Sequence, residues 1–281
     1  MNLANAVSLT VDKLTAADVP DARRDAELLV SFVTGKDKTF RIAHPEYELS
    51  ANEEKHLDTL TARRLTREPV QYILGRQEFY GLEFAVTPDV LIPRPETEIL
   101  VERAIEFLKP RNTPTFCEIG VGSGCMSISV LHNVRAAKAI AADISTKAIS
   151  VARANAVKHA VDDRIQFVES DVYSNIPETQ FDAILSNPPY VPEIDFDSLQ
   201  PEVRDYEPRL ALTSGDLGLD VITRLTEQAP VYLKPGGMLI FEIGFNQSAA
   251  VSRMFDPRVW RSAEILPDLQ CIPRIAVAVK R

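Results

Sequence analysis

The residues with the clearest chemical potential are Asn187-Pro188-Pro189-Tyr190, which follow the apolar, strand-like run Phe181–Ser186. Two consecutive prolines fix φ and supply no N–H, so the backbone after the strand is rigid and its carbonyl groups are free to accept hydrogen bonds. An asparagine opens this turn and an aromatic residue closes it. We interpret it as a clamp for a planar NH2 group, with acceptors for both protons and a ring against the face. The alternative is a rigid turn that merely ends a strand.

A second cluster is the glycine-rich stretch Glu118–Gly124, which we call the glycine turn. Its glycines let the backbone turn tightly and approach a ligand closely, so a nucleotide-like cofactor is expected here. The spacing is GxGxG and not the GxGxxG dinucleotide fingerprint, and on its own it also fits an ordinary strand-to-helix turn. Its candidate cofactor-binding residues are Glu118, Gly120, Val121, Gly122, Ser123 and Gly124. Together the two clusters indicate group transfer to an amide or an exocyclic amine.

Acidic residues at the ends of the next two predicted strands extend the cofactor site. Asp143 ends the run Ala139–Asp143, where a carboxylate can accept from both hydroxyls of a ribose; capping of the following helix is the alternative. Asp171 could accept from an adenine amino group, with Val172 packed on the base, but a solvated loop acid explains Asp171 equally well. A ribose acid also fits an NAD enzyme. Hydride transfer has no use for an amine clamp, so S-adenosylmethionine fits better.

Composition bounds the class of protein. The 281 residues are 45% hydrophobic and 25% charged, which is ordinary for a globular protein of one large and one smaller domain. No membrane span or signal peptide is apparent, and a cytoplasmic location is expected. Three scattered cysteines indicate neither a disulfide framework nor a metal site. The net charge of −9 argues against a protein that grips nucleic acid.

The elements that must position these residues follow from periodicity. Residues 1–70 predict a helical domain, in which Ser50 and Glu53 form a capping-box pattern and Gly35 ends a helix. Residues 71–92 predict a β-hairpin linker that includes a strand-like Tyr72-Ile73-Leu74. Residues 93–281 form the main domain, which begins with a helix after Pro93-Arg94-Pro95.

From residue 115, strand and helix patterns alternate, which predicts an α/β domain with a mostly parallel, doubly wound sheet covered by helices on both sides. The irregular stretch 192–218 is a candidate substrate loop. The predicted strands are Thr115–Ile119, Ala139–Asp143, Ile165–Val168, Ala183–Ser186, Met238–Ile243 and Ile275–Val279.

At this point the chain resembles the HemK/PrmC family, the N5-glutamine methyltransferases of peptide chain release factors. The resemblance covers nearly the whole chain. The Asn187–Tyr190 motif is shared with other amino methyltransferases, and the segments before and after the core make the match specific to this family. It is carried by Glu68–Tyr72, Leu91–Glu98, the glycine turn, Asp143–Ser145, Ser186–Tyr190, Tyr206-Glu207-Pro208 and Gly218-Leu219-Asp220. One departure is Glu118, where the family usually has aspartate. The longer side chain is expected to shift a contact with the cofactor and not the class of reaction.

The resemblance implies a Rossmann-like class I methyltransferase fold with an antiparallel last strand behind a helical N-terminal substrate-docking domain. It implies methyl transfer from S-adenosylmethionine to the glutamine of the Gly-Gly-Gln motif of release factors. Asn187 and the Pro188 carbonyl would then hold the substrate amide, Pro189 would stiffen the turn, and Tyr190 would lie against the amide face. Asn187 also belongs to the expected cofactor site.

The sequence leaves open the roles of three charged residues before the core and several alternative functions. Arg94, Glu96 and Glu98 either contact the cofactor or simply favour a helix start. The alternative functions are methylation of a ribosomal-protein glutamine and, further off, adenine-N6 methylation of nucleic acid. The expected partners are release factors, with no direct DNA binding, no membrane and a monomeric enzyme. A catalytically silent binding module would have no reason to keep these motifs.

Overall fold

The computed structural model describes residues 1–281, which internal contacts divide into two units. The N-terminal unit comprises residues 1–76 together with 200–206, and the C-terminal unit comprises residues 77–199 together with 207–281. The chain therefore leaves the C-terminal unit after residue 199 and rejoins it at residue 207. No helix combines the length and the apolar character that crossing a bilayer would need.

Five helices build most of the N-terminal unit. They are α1 (Leu3–Ala16), α2 (Ala22–Thr34), α3 (Lys38–Ala43), α4 (Ala51–Leu65) and α5 (Val70–Leu74). The predicted capping box is confirmed: the Ser50 side chain accepts from the Glu53 N–H, and the Glu53 carboxylate accepts from the Ser50 N–H. Gly35 ends α2 with φ 65°, the left-handed conformation that glycine adopts without strain. Leu3, Leu29 and Leu57 lie in the buried cluster that the helices share.

One sequence prediction is wrong in this unit. Tyr72-Ile73-Leu74 is not a strand of the linker but part of α5, because Pro69 begins the helix and Gly75, with φ 69°, ends it. Val70 and Ile73 are three residues apart, about one helical turn, so they share a face and both pack into the helical core. The hairpin itself is shorter than predicted. It consists of β1 (Arg76–Phe79) and β2 (Leu82–Ala85).

The C-terminal unit carries a seven-stranded sheet with helices on both faces. Its elements in chain order are α6 (Glu98–Leu108), β3 (Thr115–Ile119), α7 (Cys125–Asn133), β4 (Lys138–Asp143), α8 (Thr146–Lys158), β5 (Ile165–Glu169), β6 (Phe181–Ser186), α10 (Asp220–Tyr232), β7 (Leu233–Glu242), α11 (Ser248–Ser252), β8 (Trp260–Pro267) and β9 (Pro273–Lys280). The short helix α9 (Pro201–Arg204) lies in the segment 200–206, which belongs to the N-terminal unit.

The strand order is β5-β4-β3-β6-β7-β9-β8, with β9 antiparallel to both of its neighbours and the other pairs parallel. This is the doubly wound sheet that the sequence predicts. The order reverses direction between β3 and β6, so loops leaving these strands diverge and open a crevice at their carboxyl ends. The glycine turn follows β3 and the Asn187–Tyr190 turn follows β6, so both lie at that crevice.

Two apolar clusters fix the sheet between its helices. On one face α6 contributes Leu100 and Ala104, and on the other face α10 contributes Ile222 and Leu225. The alternating strands and helices of the sequence thus predict the layers correctly. The edge strand β8 was not predicted, because five of its eight residues are exposed and its pattern lacks an apolar run.

Candidate active site

The glycine turn adopts a backbone that only glycine takes up freely. Gly120, Gly122 and Gly124 have φ values of 77°, 52° and 82°. The N–H groups of Gly120 and Val121 both donate to the Ala142 carbonyl, at 2.8 and 2.9 Å, which ties the turn to the end of β4. A side chain at Gly122 would meet open space, so a ligand can approach the backbone there. At Gly124, by contrast, a Cβ would lie 2.9 Å from Ile128, so this glycine serves close packing of α7.

Glu118 is buried beneath the glycine turn. One carboxylate oxygen accepts from the Ser127 N–H at 2.9 Å in the first turn of α7, and the other has no hydrogen-bond partner. Burial raises the pKa of Glu118 to about 8, and the nearby Asp143 adds to the rise. A buried acceptor without a donor is costly unless a ligand supplies one. Glu118 therefore offers an acceptor to a positively charged or N–H-bearing ligand in the pocket.

Asp143 at the end of β4 is committed to the backbone around it. Its two oxygens accept from the N–H groups of Gly122 and Ser145, each at 2.9 Å. Burial raises its pKa, and these hydrogen bonds oppose the rise. Helix α8 is capped by Ser145, whose hydroxyl accepts from the Ala148 N–H. Asp143 is thus not the helix cap, and it lines the pocket with lone pairs that remain available to a ligand.

Asp171 and Val172 lie in the turn after β5. The Asp171 carboxylate pairs with Arg224 at 2.8 Å and its side chain is half exposed. Val172 is buried with φ 53°, a left-handed conformation that a β-branched residue rarely adopts. Both residues line the pocket. The strained backbone of Val172 holds an apolar side chain at the pocket wall where the sequence predicts a base.

The Asn187–Tyr190 turn is anchored at three points. The Ser186 hydroxyl donates to the Ile119 carbonyl at 2.7 Å, which joins β6 to β3 just before the turn. Asn187 Nδ2 donates to Thr97 Oγ1 at 3.1 Å, and the Tyr190 hydroxyl donates to Glu242 Oε1 at 3.0 Å. Pro188 between them is buried. With its amide nitrogen occupied by Thr97, Asn187 lines the pocket with its oxygen still available.

Gly218 and Gln247 hold the far side of this turn. The Gln247 amide donates to the carbonyls of Tyr190, Leu217 and Gly218 at 3.0–3.2 Å. A Cβ on Gly218 would lie 2.0 Å from the Tyr190 carbonyl oxygen. The glycine of the Gly218-Leu219-Asp220 segment therefore allows two backbones to touch behind the turn.

The charged residues of the 91–98 segment organise loops. Arg94 pairs with Glu207 at 2.5 Å, and Glu207 also accepts from the Ile92 N–H at 3.2 Å. Burial raises the pKa of Glu207, and Arg94 opposes the rise. Glu98 accepts from the Tyr80 N–H of the hairpin at 2.8 Å. Arg94 lines the pocket while joining the segment before α6 to the segment after the Asn187–Tyr190 turn.

The structure brings most of the sequence-predicted site residues to one pocket. Those that line it are Glu118, Gly120, Val121, Gly122, Ser123, Asp143, Asp171, Val172, Asn187 and Pro189. Gly124, Pro188 and Tyr190 do not line it. Tyr190, which the sequence predicts to lie against a substrate amide, packs at the edge of a core cluster and donates its hydroxyl to Glu242.

Sequence reasoning missed Thr97 and Glu242. Both side chains are 2% exposed, and Thr97 lines the pocket. Burial raises the pKa of Glu242, whereas the hydrogen bonds from Thr97 and Tyr190 lower it. A signal was present: Glu242 is the only charged residue in the otherwise apolar run Met238–Ile243. An acid in a buried strand needs hydrogen-bond partners, and the partners of Glu242 are the site residues Thr97 and Tyr190.

Two sequence families match the chain. Residues 5–75 match the PrmC N-terminal domain, and residues 97–199 match the methyltransferase small domain. A relative in Koribacter versatilis, described as release factor glutamine methyltransferase, is 42% identical across 100% of this chain and 99% of its own length. A relative in Geobacter sulfurreducens with the same description is 41% identical across 86% of this chain and 84% of its own.

Solved structures agree on the fold. A methyltransferase from Pyrococcus furiosus superposes with a TM-score of 0.54 at 18% identity, covering 79% of this chain and 98% of its own. A Thermus thermophilus 16S rRNA methyltransferase in complex with AdoMet and guanosine also gives 0.54 at 18% identity, over 73% of this chain and 50% of its own. At such identities the likeness concerns the fold alone.

The sheet order and the pocket at its crevice define a class I methyltransferase. Within that class the identity to full-length relatives is decisive. The chain belongs to the family of release factor glutamine methyltransferases.

Proposed function

We propose that the chain transfers a methyl group from S-adenosylmethionine to the side-chain amide nitrogen, N5, of the glutamine in the Gly-Gly-Gln motif of peptide chain release factors. One observation carries the proposal. The Asn187 amide donates to Thr97 through its nitrogen, which leaves its oxygen as an acceptor on a residue that lines the same pocket as the glycine turn. An acceptor at that point suits a substrate that brings N–H groups.

The pocket fits S-adenosylmethionine on the strength of its own polar atoms. The unpartnered oxygen of Glu118 is buried and suits the cofactor's ammonium group. Asp143 and Val172 both line the pocket. Asp143, at the end of β4, would accept from the ribose hydroxyls, and Val172 would pack against the apolar face of the adenine. When bound, S-adenosylmethionine supplies a methyl group on a positively charged sulfur, whose S–C bond breaks as the acceptor nitrogen forms its own bond to that carbon.

The Asn187–Tyr190 turn would hold the substrate carboxamide by its two N–H groups. We assign one to Asn187 Oδ1 and the other to the Pro188 carbonyl, since proline leaves this backbone rigid. An amide nitrogen is a weak nucleophile because its lone pair is delocalised into the carbonyl. Holding both protons fixes the direction of the nitrogen, and most of the rate is expected from this placement.

No strong general base is required. Once methylated, the nitrogen is acidic and its proton can pass to water. Two buried carboxylates of this region are already engaged, Glu242 with Thr97 and Tyr190, and Glu207 with Arg94. Tyr190 would act by fixing the end of the turn through its hydroxyl. Contact between its ring and the substrate amide, as the sequence predicts, stays a proposal for the complex.

The rest of the proposal concerns partners. The helical N-terminal unit would dock the release factor, and the enzyme would act as a monomer in the cytoplasm, where translation terminates. Direct DNA binding is not expected, given the net charge of −9 and the acidic residues that follow the turn. A ribosomal-protein glutamine remains the second candidate substrate, since the same clamp would hold it.

Incubation with methyl-labelled S-adenosylmethionine tests the proposal. Purified release factor should take up label, and a release factor whose Gly-Gly-Gln glutamine is changed to alanine should not. Ribosomal protein and duplex DNA are the parallel acceptors. Label on either of these acceptors, with the release factor unlabelled, would refute the assignment of the substrate.

A further inference from the structure

A buried carboxylate joins both ends of the Asn187–Tyr190 turn. Glu242 Oε1 accepts from the Tyr190 hydroxyl at 3.0 Å, and Glu242 Oε2 accepts from the Thr97 hydroxyl at 2.7 Å. Thr97 in turn accepts from Asn187 Nδ2 at 3.1 Å. The network thus runs from Tyr190 through Glu242 and Thr97 to Asn187 without a gap.

The network has one direction. When Glu242 is ionised its carboxylate only accepts hydrogen bonds, so Thr97 donates its single hydroxyl proton to Glu242. The Thr97 oxygen is then left as an acceptor, and Asn187 can face it only with its NH2 group. The Asn187 carbonyl oxygen is consequently turned the other way. Without this constraint a side-chain amide can rotate by 180° and exchange its donor for its acceptor.

We propose that Thr97 and Glu242 are positioning residues that fix which atom of the Asn187 amide meets the substrate. The inference rests on the proposed function, in which Asn187 Oδ1 accepts from the substrate carboxamide. A flipped Asn187 would present N–H groups to the N–H groups of the substrate and repel them. Neither Thr97 nor Glu242 needs to touch the reacting atoms for this role.

The fold places these residues without room for adjustment. Ser186 pairs with Phe241 in the β6–β7 register. Asn187 and Glu242 are the next residues along the two strands, so they lie side by side at neighbouring strand ends. Thr97 ends the 3-10 helix Pro95–Thr97, and both Thr97 and Glu242 are 2% exposed. Water therefore cannot replace either partner cheaply, and loss of one would leave buried polar groups unpaired.

Substitutions of Thr97 separate orientation from packing. Thr97→Val keeps the shape but removes both hydrogen bonds, whereas Thr97→Ser keeps the hydroxyl. A matched control is Thr226→Val, because Thr226 is also a buried threonine of the C-terminal unit but its hydroxyl bonds to carbonyls of α10 and to the Met254 sulfur, and not to the Asn187–Tyr190 turn. Glu242→Gln is a second route to the same defect, since its NH2 group can donate and so release the constraint on Thr97.

The measurements are kcat and KM for release factor, cofactor affinity by calorimetry, and the midpoint of thermal unfolding. Thr97→Val and Glu242→Gln should lower kcat roughly 10- to 100-fold, as expected for a misdirected reactive group. Cofactor affinity should stay near wild type, and Thr97→Ser should recover most of the rate. Thr226→Val should leave kcat unchanged even if it lowers the midpoint of unfolding.

Three results would overturn the inference. They are an unchanged kcat in both Thr97→Val and Glu242→Gln, an equal loss of kcat in Thr97→Ser and Thr97→Val, and a loss of kcat no larger than that of Thr226→Val. Failure of the proposed function has a different signature. In that case the wild-type enzyme would not methylate release factor at all, before any variant is compared.

Discussion

In the proposed mechanism turnover depends most directly on Asn187, because its side-chain oxygen is the acceptor assigned to the substrate amide. Asn187→Ala should lower kcat by about 10²- to 10³-fold, the loss typical when one preorganised polar partner of a reaction is removed. Much of the cofactor binding should remain, since Glu118 and Asp143 are untouched. Single-turnover methylation and cofactor calorimetry on the same preparation measure both quantities.

The control for that variant is Asn133→Ala, which removes an amide on an exposed residue whose nitrogen donates to the Ser129 carbonyl in α7. It should leave kcat unchanged. A wild-type kcat in Asn187→Ala would show that the turn does not grip the acceptor.

Glu118 gives a pH-dependent prediction in the absence of cofactor. Its pKa is about 8 in the folded chain against an ordinary value of 4.5, so the folded state holds this proton across that window and the unfolded state does not. Wild-type stability should therefore fall as pH rises from about 4.5 to 8, by on the order of 3 kcal/mol near pH 7. Glu118→Gln lacks this loss, so its free energy of unfolding should rise relative to that of the wild type as pH increases.

Chemical denaturation of both proteins at pH 5 and pH 8 provides the measurement. The other groups that titrate are common to both proteins and cancel in the difference, except for the coupling between Glu118 and Asp143, which belongs to the Glu118 effect. Free energies of unfolding that stay parallel from pH 5 to pH 8 would show that Glu118 does not titrate in this window.

At the scale of elements, the approach of Gly218 to the Tyr190 carbonyl is the tightest contact behind the Asn187–Tyr190 turn. Gly218→Ala adds a Cβ that would lie 2.0 Å from the Tyr190 oxygen, at a residue with φ 69°. The turn must shift to relieve that overlap, so kcat should fall at least 10-fold, as for a reactive group misplaced by about 1 Å. Steady-state kinetics with release factor as the varied substrate measures the effect.

Gly236 offers a closely matched comparison. It has φ 73° and nothing within 4 Å of its missing Cβ, so Gly236→Ala imposes similar backbone strain without the overlap. Gly236→Ala should cost about 1–2 kcal/mol of stability and leave kcat near wild type. If the two variants lost activity equally, backbone strain alone and not the Tyr190 contact would explain Gly218.

The elements also show where sequence reasoning succeeds. The parallel strands were predictable because each is a short apolar run between turn signals, as in Thr115–Ile119, which matches β3 without change. Tyr72–Leu74 was misassigned because three apolar residues cannot distinguish a strand from one turn of buried helix. Strand β8 lies at the sheet edge and most of its residues are exposed, so its sequence lacks the apolar pattern by which a buried strand is recognised.

The site divides in the same way. The glycine turn and the Asn187–Tyr190 turn carry local patterns, so both were predictable from neighbouring residues. The link between Thr97, Asn187 and Glu242 was not, because these positions meet only through the strand register and the start of α6. No local pattern encodes such a contact.

At the scale of the whole molecule, the path of the chain ties the N-terminal unit to the candidate substrate loop. Residues 200–206 lie between the Asn187–Tyr190 turn and Glu207, yet they belong to the N-terminal unit. Glu202 in this segment accepts from Arg64 at 3.0 Å and from Arg67 at 2.7 and 2.8 Å. The Arg64 side chain is 4% exposed and the Glu202 side chain 12%, so this ion pair is largely buried.

Glu202→Gln should therefore loosen the loop from its anchor. We expect a lower free energy of unfolding, by on the order of 2 kcal/mol because Asp25 still pairs with Arg64. We also expect a several-fold higher KM for release factor at unchanged cofactor affinity. Steady-state kinetics and denaturant titration measure the two effects.

Asp58→Asn is the control within the same unit, because the Asp58–Lys13 pair is exposed and contributes little. It should match wild type in both measurements. A Glu202→Gln enzyme with normal KM would separate the anchor from substrate binding and leave it a purely structural contact.

The most direct test is a structure of the enzyme with the demethylated cofactor and a Gly-Gly-Gln peptide. The account predicts the glutamine side-chain nitrogen at about 3 Å from both Asn187 Oδ1 and the Pro188 carbonyl oxygen, the usual N–H···O distance. The nitrogen should point toward the cofactor's sulfur beside the glycine turn. A carboxamide held elsewhere, or a turn that faces away from the sulfur, would contradict it.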